Sequence, residues 1–353
     1  MRLKTQVCIK RMGGLTALAA GQRHLVTPPG AGAFDGFAHQ RLANPQAARC
    51  FIHHHIFNNR RAGEVVRQVF NQVDGAGAEQ FAITVLKQDF KDSPNAVHLS
   101  QYWSSGEQIY PLENGLLIGR ITDLQACFNL NAAAGRSPQQ PSETPPLEMT
   151  ALQQLLEQTG IESYAAETIA HSTRDWLDAD DVISGSLGAE DGEYRGLQPP
   201  YVTANSLMAD VSEWRLVRGV SASIYQQLRP MVCVLPGQLQ LLLNVNTIAP
   251  EHAALLAGVL GPEVTLDMAQ QLLENRPKTG WETTNEFWAA PELQAVQSSL
   301  KAEQKALISV NSHYFAVEVE TQIDRARFRH TAILRREGNQ KLTVIQRRIG
   351  GKQ

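Results

Sequence analysis

Residues 175–193, DWLDADDVISGSLGAEDGE, hold seven carboxylates (Asp175, Asp178, Asp180, Asp181, Glu190, Asp191 and Glu193) and no lysine or arginine. Like charges this close repel and raise one another's pKa unless something neutralises them. The stretch therefore constrains the chain around it to one of two solutions, an open solvated loop or a site for a cation. Hard oxygen donors with glycine-permitted turns suit Ca²⁺ far better than Zn²⁺ or copper. The spacing Asp178, Asp180, Asp181 opens like an EF-hand loop, but the sixth position is Ile183 in place of glycine and the twelfth is Ala189 in place of glutamate, so it is not one. Gly185 and Gly188 allow the chain to fold back, so that Glu190, Asp191 and Glu193 complete a cage begun by the first cluster.

A chain of 353 residues has room for two or three domains. Its net charge of −3 hides an asymmetry. Residues 1–77 carry ten Lys/Arg against three Asp/Glu (+7), leaving 22 against 32 (−10) for the remainder. An acidic body argues against general nucleic-acid binding, which needs a positive surface. There are four cysteines, Cys8, Cys50, Cys127 and Cys233, and no CxxC pair, so a zinc ribbon or a thioredoxin-type motif is unsupported. Cys127 and Cys233 are candidates for a disulfide in an oxidising compartment, two buried free thiols being the other reading.

Along the chain, residues 1–77 contain no apolar run near the length of a membrane span; the longest, GLTALAA at 14–20, is broken by Gly21, Gln22 and Arg23. Their proline, glycine, histidine and arginine follow no periodicity and read as disorder or loop. His53, His54 and His55 beside Cys50 point in different directions and make a poor metal motif. From Gly77 to Asp89 the pattern turns helical, with Phe81, Val85 and Leu86 on one face. Apolar runs at 108–112 and 116–124 around Glu113, Asn114 and Gly115 predict a hairpin. The proline-rich stretch 133–147 marks a boundary.

Helical stripes follow over Met149–Thr159 and Ile161–Trp176. A further helix is expected from about Val211, with Asp210, Ser212 and Glu213 as caps. Residues 241–292 resemble a helix-hairpin-helix unit, but Arg276 and Lys278 are the only Lys/Arg there, too few to grip several phosphates. Asn244 and Asn246 are placed to cap or bridge turns. The tail alternates as strands over Leu307–Val319, Phe328–Arg336 and Leu342–Ile349, with a tight turn at Gly338–Asn339. Strands at 108–124 and 307–349 thus bracket a helical region, which predicts an α+β fold, an antiparallel sheet domain interrupted by helices. No nucleophile elbow, P-loop, GxGxxG or HExxH is present. A divalent-metal-dependent hydrolase remains the enzymatic alternative, with only His171 near the acidic stretch. A helix-hairpin-helix nucleic-acid-binding protein is the other.

DWLDAD, GAEDGEY, PPYVTAN and ADVSEW, in that order, with QACFNLNA (125–132), RPMVCVLPG (229–237) and LLNVNTIAPEHAALL (242–256) around them, resemble the type II secretion system minor pseudopilin K family from about Ala78 to the C-terminus. The resemblance implies a non-enzymatic subunit at the tip of the periplasmic pseudopilus of a Gram-negative cell. Minor pseudopilins I and J would be its partners, exported proteins a further candidate, and nucleic acid no partner. It implies a pilin-like antiparallel sheet domain with a large inserted α-helical domain. Residues 78–132 and 301–353 would form the sheet domain, 133–147 the linker, and 148–300 the helical insertion, including the acidic loop 175–193 and the unit 241–292. It also implies structural Ca²⁺, for which Asp178, Asp180, Glu190 and Asp191 are the leading ligands and Asp181, Glu193 and Asn205 the next. The family opens with a basic leader and a long apolar helix anchoring it in the inner membrane. Residues 1–77 depart from that pattern, and a mis-set start or a frameshift upstream of Ala78 is expected to account for them.

Overall fold

The computed structural model describes residues 76–112, 115–135, 145–323, 326–338 and 341–350. The irregular N-terminal stretch, with Cys8, Cys50 and the histidine run, lies outside them, as do 136–144 of the expected linker. Helix α1 (Ala76–Asp92) comes first, followed by the hairpin β1 (Gln108–Leu112) and β2 (Gly115–Asp123) and the two-residue strand β3 (Phe128–Asn129). The helical part holds α2 (Leu147–Gln158), α3 (Ser163–Leu177), the one-turn α4 (Asp191–Tyr194) and α5 (Ala222–Leu228). Short strands β4 (Val232–Cys233) and β5 (Leu243–Asn244) lead into α6 (Ala253–Leu260), α7 (Leu266–Glu274), α8 (Thr284–Trp288) and α9 (Ala302–Lys305). After β6 (Ile308–Ser309) come the long strands β7 (Tyr314–Ile323), β8 (Ala326–Glu337) and β9 (Lys341–Ile349).

The five long strands form one sheet in the order β1-β2-β7-β8-β9, every pairing antiparallel. Because side chains alternate across a sheet, Phe315, Val317 and Val319 of β7 line up with Leu334, Ala332 and His330 of β8 on one face. That face buries Ala82, Val85, Leu86 and Phe90 of α1. Glu79 in the first turn of α1 is buried too, and accepts hydrogen bonds from Arg347 Nε (2.9 Å) and His330 Nε2 (2.5 Å), so its charge is paired where desolvation would otherwise be costly. Pro111 falls on edge strand β1, where a missing N–H costs least.

Between β2 and β7 the chain builds a second, larger core. Helix α6 is buried on every side, Ala253 through Leu260, which places it at the centre of that core. It lies against α2 so closely that a Cβ on Gly258 would sit 2.5 Å from Leu155 Cα. The two parts meet at Asp123, the last residue of β2. Its carboxylate accepts from Ser312 Oγ (2.6 Å), Thr247 Oγ1 (2.6 Å), Asn244 Nδ2 (3.3 Å) and the Gln125 N–H (2.8 Å). Burial nonetheless pushes the carboxyl pKa above its ordinary value. Cys127 and Cys233 are disulfide-bonded across β3 and β4, Cα–Cα 5.8 Å.

Three expectations shift. The sheet domain is expected at 78–132 and 301–353, but Phe128, Leu130, Ala132 to Ala134, Leu307, Ile308 and Val310 pack in the helical core, because β3 and β6 pair with β4 and β5 there. Ala133 and Ala134, assigned to the linker, are buried in a 3₁₀ turn over 130–134. The helix expected from Val211 is only a 3₁₀ segment, Val211–Leu216, and α-helix resumes at Ala222. Its start is capped as expected, here by a capping box of Asp210 with Glu213.

Candidate functional site

The acidic stretch starts inside α3. Asp175 is on its last turn and Asp178 follows as its C-cap, three residues apart and so on one helix face. Asp175 Oδ1 accepts from the Ser184 N–H at 3.0 Å, which bends the loop back over the helix end. Gly185 takes φ 59. A Cβ on Gly188 would come within 2.1 Å of Asp175 Oδ2, so only glycine lets the backbone pass this close to the carboxylate. His171 Nδ1 donates to the Ser184 carbonyl at 2.8 Å. Trp176, Tyr194 and Tyr201 form an aromatic floor with ring centroids 5.2 to 6.3 Å apart, supplying apolar packing that the loop lacks.

On this frame the carboxylates divide. Asp175, Asp178 and Glu190 are 0%, 4% and 6% exposed, and one oxygen of each (Asp175 Oδ2, Asp178 Oδ1, Glu190 Oε1) is buried with no hydrogen-bond partner. Asn205 Oδ1 is in the same condition. Burial, then Asp180 and Asp175 nearby, push the Asp178 carboxyl up to about 7. Burial and then Asp175 do the same for Glu190, also to about 7, and burial raises Asp175. Asp180 Oδ1 accepts from the Val182 N–H (2.9 Å), and Asp181 Oδ1 from Asn205 Nδ2 (3.1 Å).

The other two candidates have protein partners. Asp191 Oδ1 accepts from the Thr203 N–H (3.1 Å) and hydroxyl (2.8 Å), while its Oδ2 pairs with Arg195 (2.6 Å). The Thr203 hydroxyl bond, the largest cause, holds its pKa below the usual carboxylate range. Glu193 lies 3.6 Å from Arg218. The acidic run includes Asp175, which stands outside the ligand candidates that the sequence suggests. Its spacing to Asp178, one helical turn, is the signal that would have found it.

Buried orphan oxygens are uncommon because each carries a desolvation cost. Four around one loop, three of them on carboxylates, are the donor chemistry of a hard cation. No group of three or more His, Cys, Asp or Glu side chains among the described residues is disposed as placed to hold a metal ion. What fits such an ion is the donor chemistry, buried oxygens that the protein leaves unpartnered.

The unit at 241–292 is differently engaged. Arg276 donates to the Val245 and Ile248 carbonyls at 2.9 and 2.7 Å, so this guanidinium is a strut of the core. Asn246 bridges Trp281 and Val310, and Asn244 Oδ1 accepts from the Asn246 N–H (3.0 Å). No helix among the described residues is long and apolar enough to cross a membrane.

Comparison with known proteins agrees with this architecture. Residues 126–237 and 243–311 match the family described as type II secretion system (T2SS), protein K. A type II secretion system protein K from Aeromonas hydrophila is 39% identical over 278 residues, 78% of this chain and 83% of that protein. The one from Klebsiella pneumoniae is 38% identical over 274 residues, 78% and 82% respectively. Among solved structures, a chain of the GspK-GspI-GspJ complex from the enterotoxigenic Escherichia coli type 2 secretion system superposes with a TM-score of 0.70. It has 31% identity and covers 83% of this chain and 100% of that one. The hydrolase and nucleic-acid alternatives draw no support from these matches.

Proposed function

This chain belongs to the type II secretion system protein K family, and from that premise we propose that it acts by assembly, as a minor pseudopilin joined to pseudopilins I and J at the tip of the periplasmic pseudopilus. The observation that carries the reading is the likeness, over the full length of that chain, to a member of a GspK-GspI-GspJ complex. The physical argument is steric. A sheet with one packed helix is a unit that can stack in a fibre, but residues 124–313 add a second core beside it, read here as a helical domain inserted in a pilin-like one. At the tip nothing has to stack above that bulk. The protein is read as non-enzymatic, its body in the periplasm and its family's anchor in the inner membrane.

Within this assembly role, the acidic loop is a structural Ca²⁺ site. Asp178, Glu190 and Asp175, with Asn205, Asp180 and Asp181, would hold the ion; Asp191 contributes by fixing Thr203 beside Glu190. The ion would supply positive charge to oxygens that the protein leaves unpaired. Size-exclusion chromatography of the full chain mixed with soluble domains of pseudopilins I and J tests the assembly reading. Co-elution as a larger species is expected, and separate elution at micromolar concentration contradicts it.

A further inference from the structure

The acidic loop is fastened at its far end to the sheet. After Thr203, which bonds Glu190 and Asp191, residues 203–210 run as a strap without regular structure. Asn205, with φ 44 the only non-glycine residue of positive φ among those described, reaches Asp181. Met208 is pinned to Asn131 through both backbone groups, at 2.9 and 3.0 Å. The Ala209 carbonyl then accepts from two side chains of edge strand β9, Arg348 Nη2 (2.6 Å) and Gln346 Nε2 (3.2 Å). Arg348 Nη1 also pairs with Asp210. Glu213 closes the strap by accepting from the Ala209 and Asp210 N–H groups, both at 2.8 Å.

Resting on the reading of the loop as a calcium site, we propose that Arg348 and Gln346 are positioning residues for it. They hold the strap in the one placement that sets Thr203 and Asn205 beside Glu190, Asp191 and Asp181, and they couple cation binding to the order of edge strand β9. A guanidinium suits this task because its fork takes a carbonyl and a carboxylate together, which an ammonium cannot do with the same geometry. Coupling of two sites is reciprocal. If the β9 grip favours calcium, calcium favours the grip by the same factor. Residues that orient metal ligands without touching the metal change affinity about 10- to 100-fold when removed, and the lower end is expected for side chains at the sheet edge.

The test is calorimetric titration of calcium into the chelator-treated full chain, alongside hydrogen exchange at residues 341–349 with and without calcium. The double variant Arg348→Ala/Gln346→Ala is expected to bind calcium about tenfold more weakly. Arg348→Lys should recover only part of that loss. Calcium should slow exchange in β9 of the natural chain and leave it unchanged in the double variant. Equal calcium affinity in the double variant, or β9 exchange indifferent to calcium in the natural chain, overturns the proposal. A natural chain that takes up no calcium overturns the metal-site reading and this proposal with it, and that result is distinct from tight binding unaffected by the variants.

Discussion

Asp178 and Glu190 are two residues of the acidic loop on which pH acts. Both carboxyls are held up to about 7, against about 4 in an unfolded chain. A raised carboxyl pKa contributes stability that is fully present below about 4 and lost as pH climbs through about 7, since the folded form must then carry buried unpaired charge. The metal-free chain therefore loses this contribution between those limits. Calcium requires both groups deprotonated, so its binding releases protons and strengthens with pH over the same window. The increment in Tm on adding calcium is expected to be larger at pH 8 than at pH 5.5; an increment constant across that range would contradict the assignment. Asn205, with its left-handed backbone, belongs to the same account: Asn205→Ala would lose a donor to Asp181, strain the backbone and weaken calcium binding.

Among the elements, packing makes two sharp demands. Gly258 of α6 faces the Leu155 backbone with no room for a methyl group. Gly258→Ala is expected to cost about 1–3 kcal/mol through overpacking, exceeding the gain in helix propensity, and thermal or urea unfolding would measure it. The Cys127–Cys233 bond spans 106 residues. Replacing both by serine should lower stability by about 2–5 kcal/mol, with unfolding midpoints unchanged if the bond has no such role. These elements also show what sequence could disclose. Alternation in Phe315, Val317 and Val319 made β7 visible, and the 3.6-residue stripe of Leu152, Leu155 and Leu156 made α2 visible, because one buried face imprints its period. The two-residue strands β3 to β6 bear no period, so the border between sheet and helical parts was set too far into the helical core. A linear acidic run gives no sign that Asp191 and Glu193 also have protein partners. Thr203, Arg195 and Arg218, which engage them, come from turns whose approach depends on the whole loop.

Across the whole molecule, the sheet part and the helical part meet through the buried Asp123 cluster and the β9 strap. The cluster fixes their junction. Asp123→Ala would take the acceptor from the Ser312 hydroxyl and one of two or more acceptors from Thr247 and Asn244, which keep the Asn244 and Val97 carbonyls, and about 2–5 kcal/mol of destabilisation is expected, checked by denaturant unfolding. The strap brings the acidic loop to the sheet. Everything in this account turns on whether oxygens left unpaired in that loop are gathered by an ion. The most direct measurement is a calcium titration of the chelator-treated full chain, followed by calorimetry and by melting with and without EGTA. The account predicts saturable binding, a melting temperature raised by calcium and lowered again by EGTA, and loss of both effects in Asp178→Asn/Glu190→Gln. No heat of binding, with a melting temperature indifferent to calcium and chelator, would contradict it.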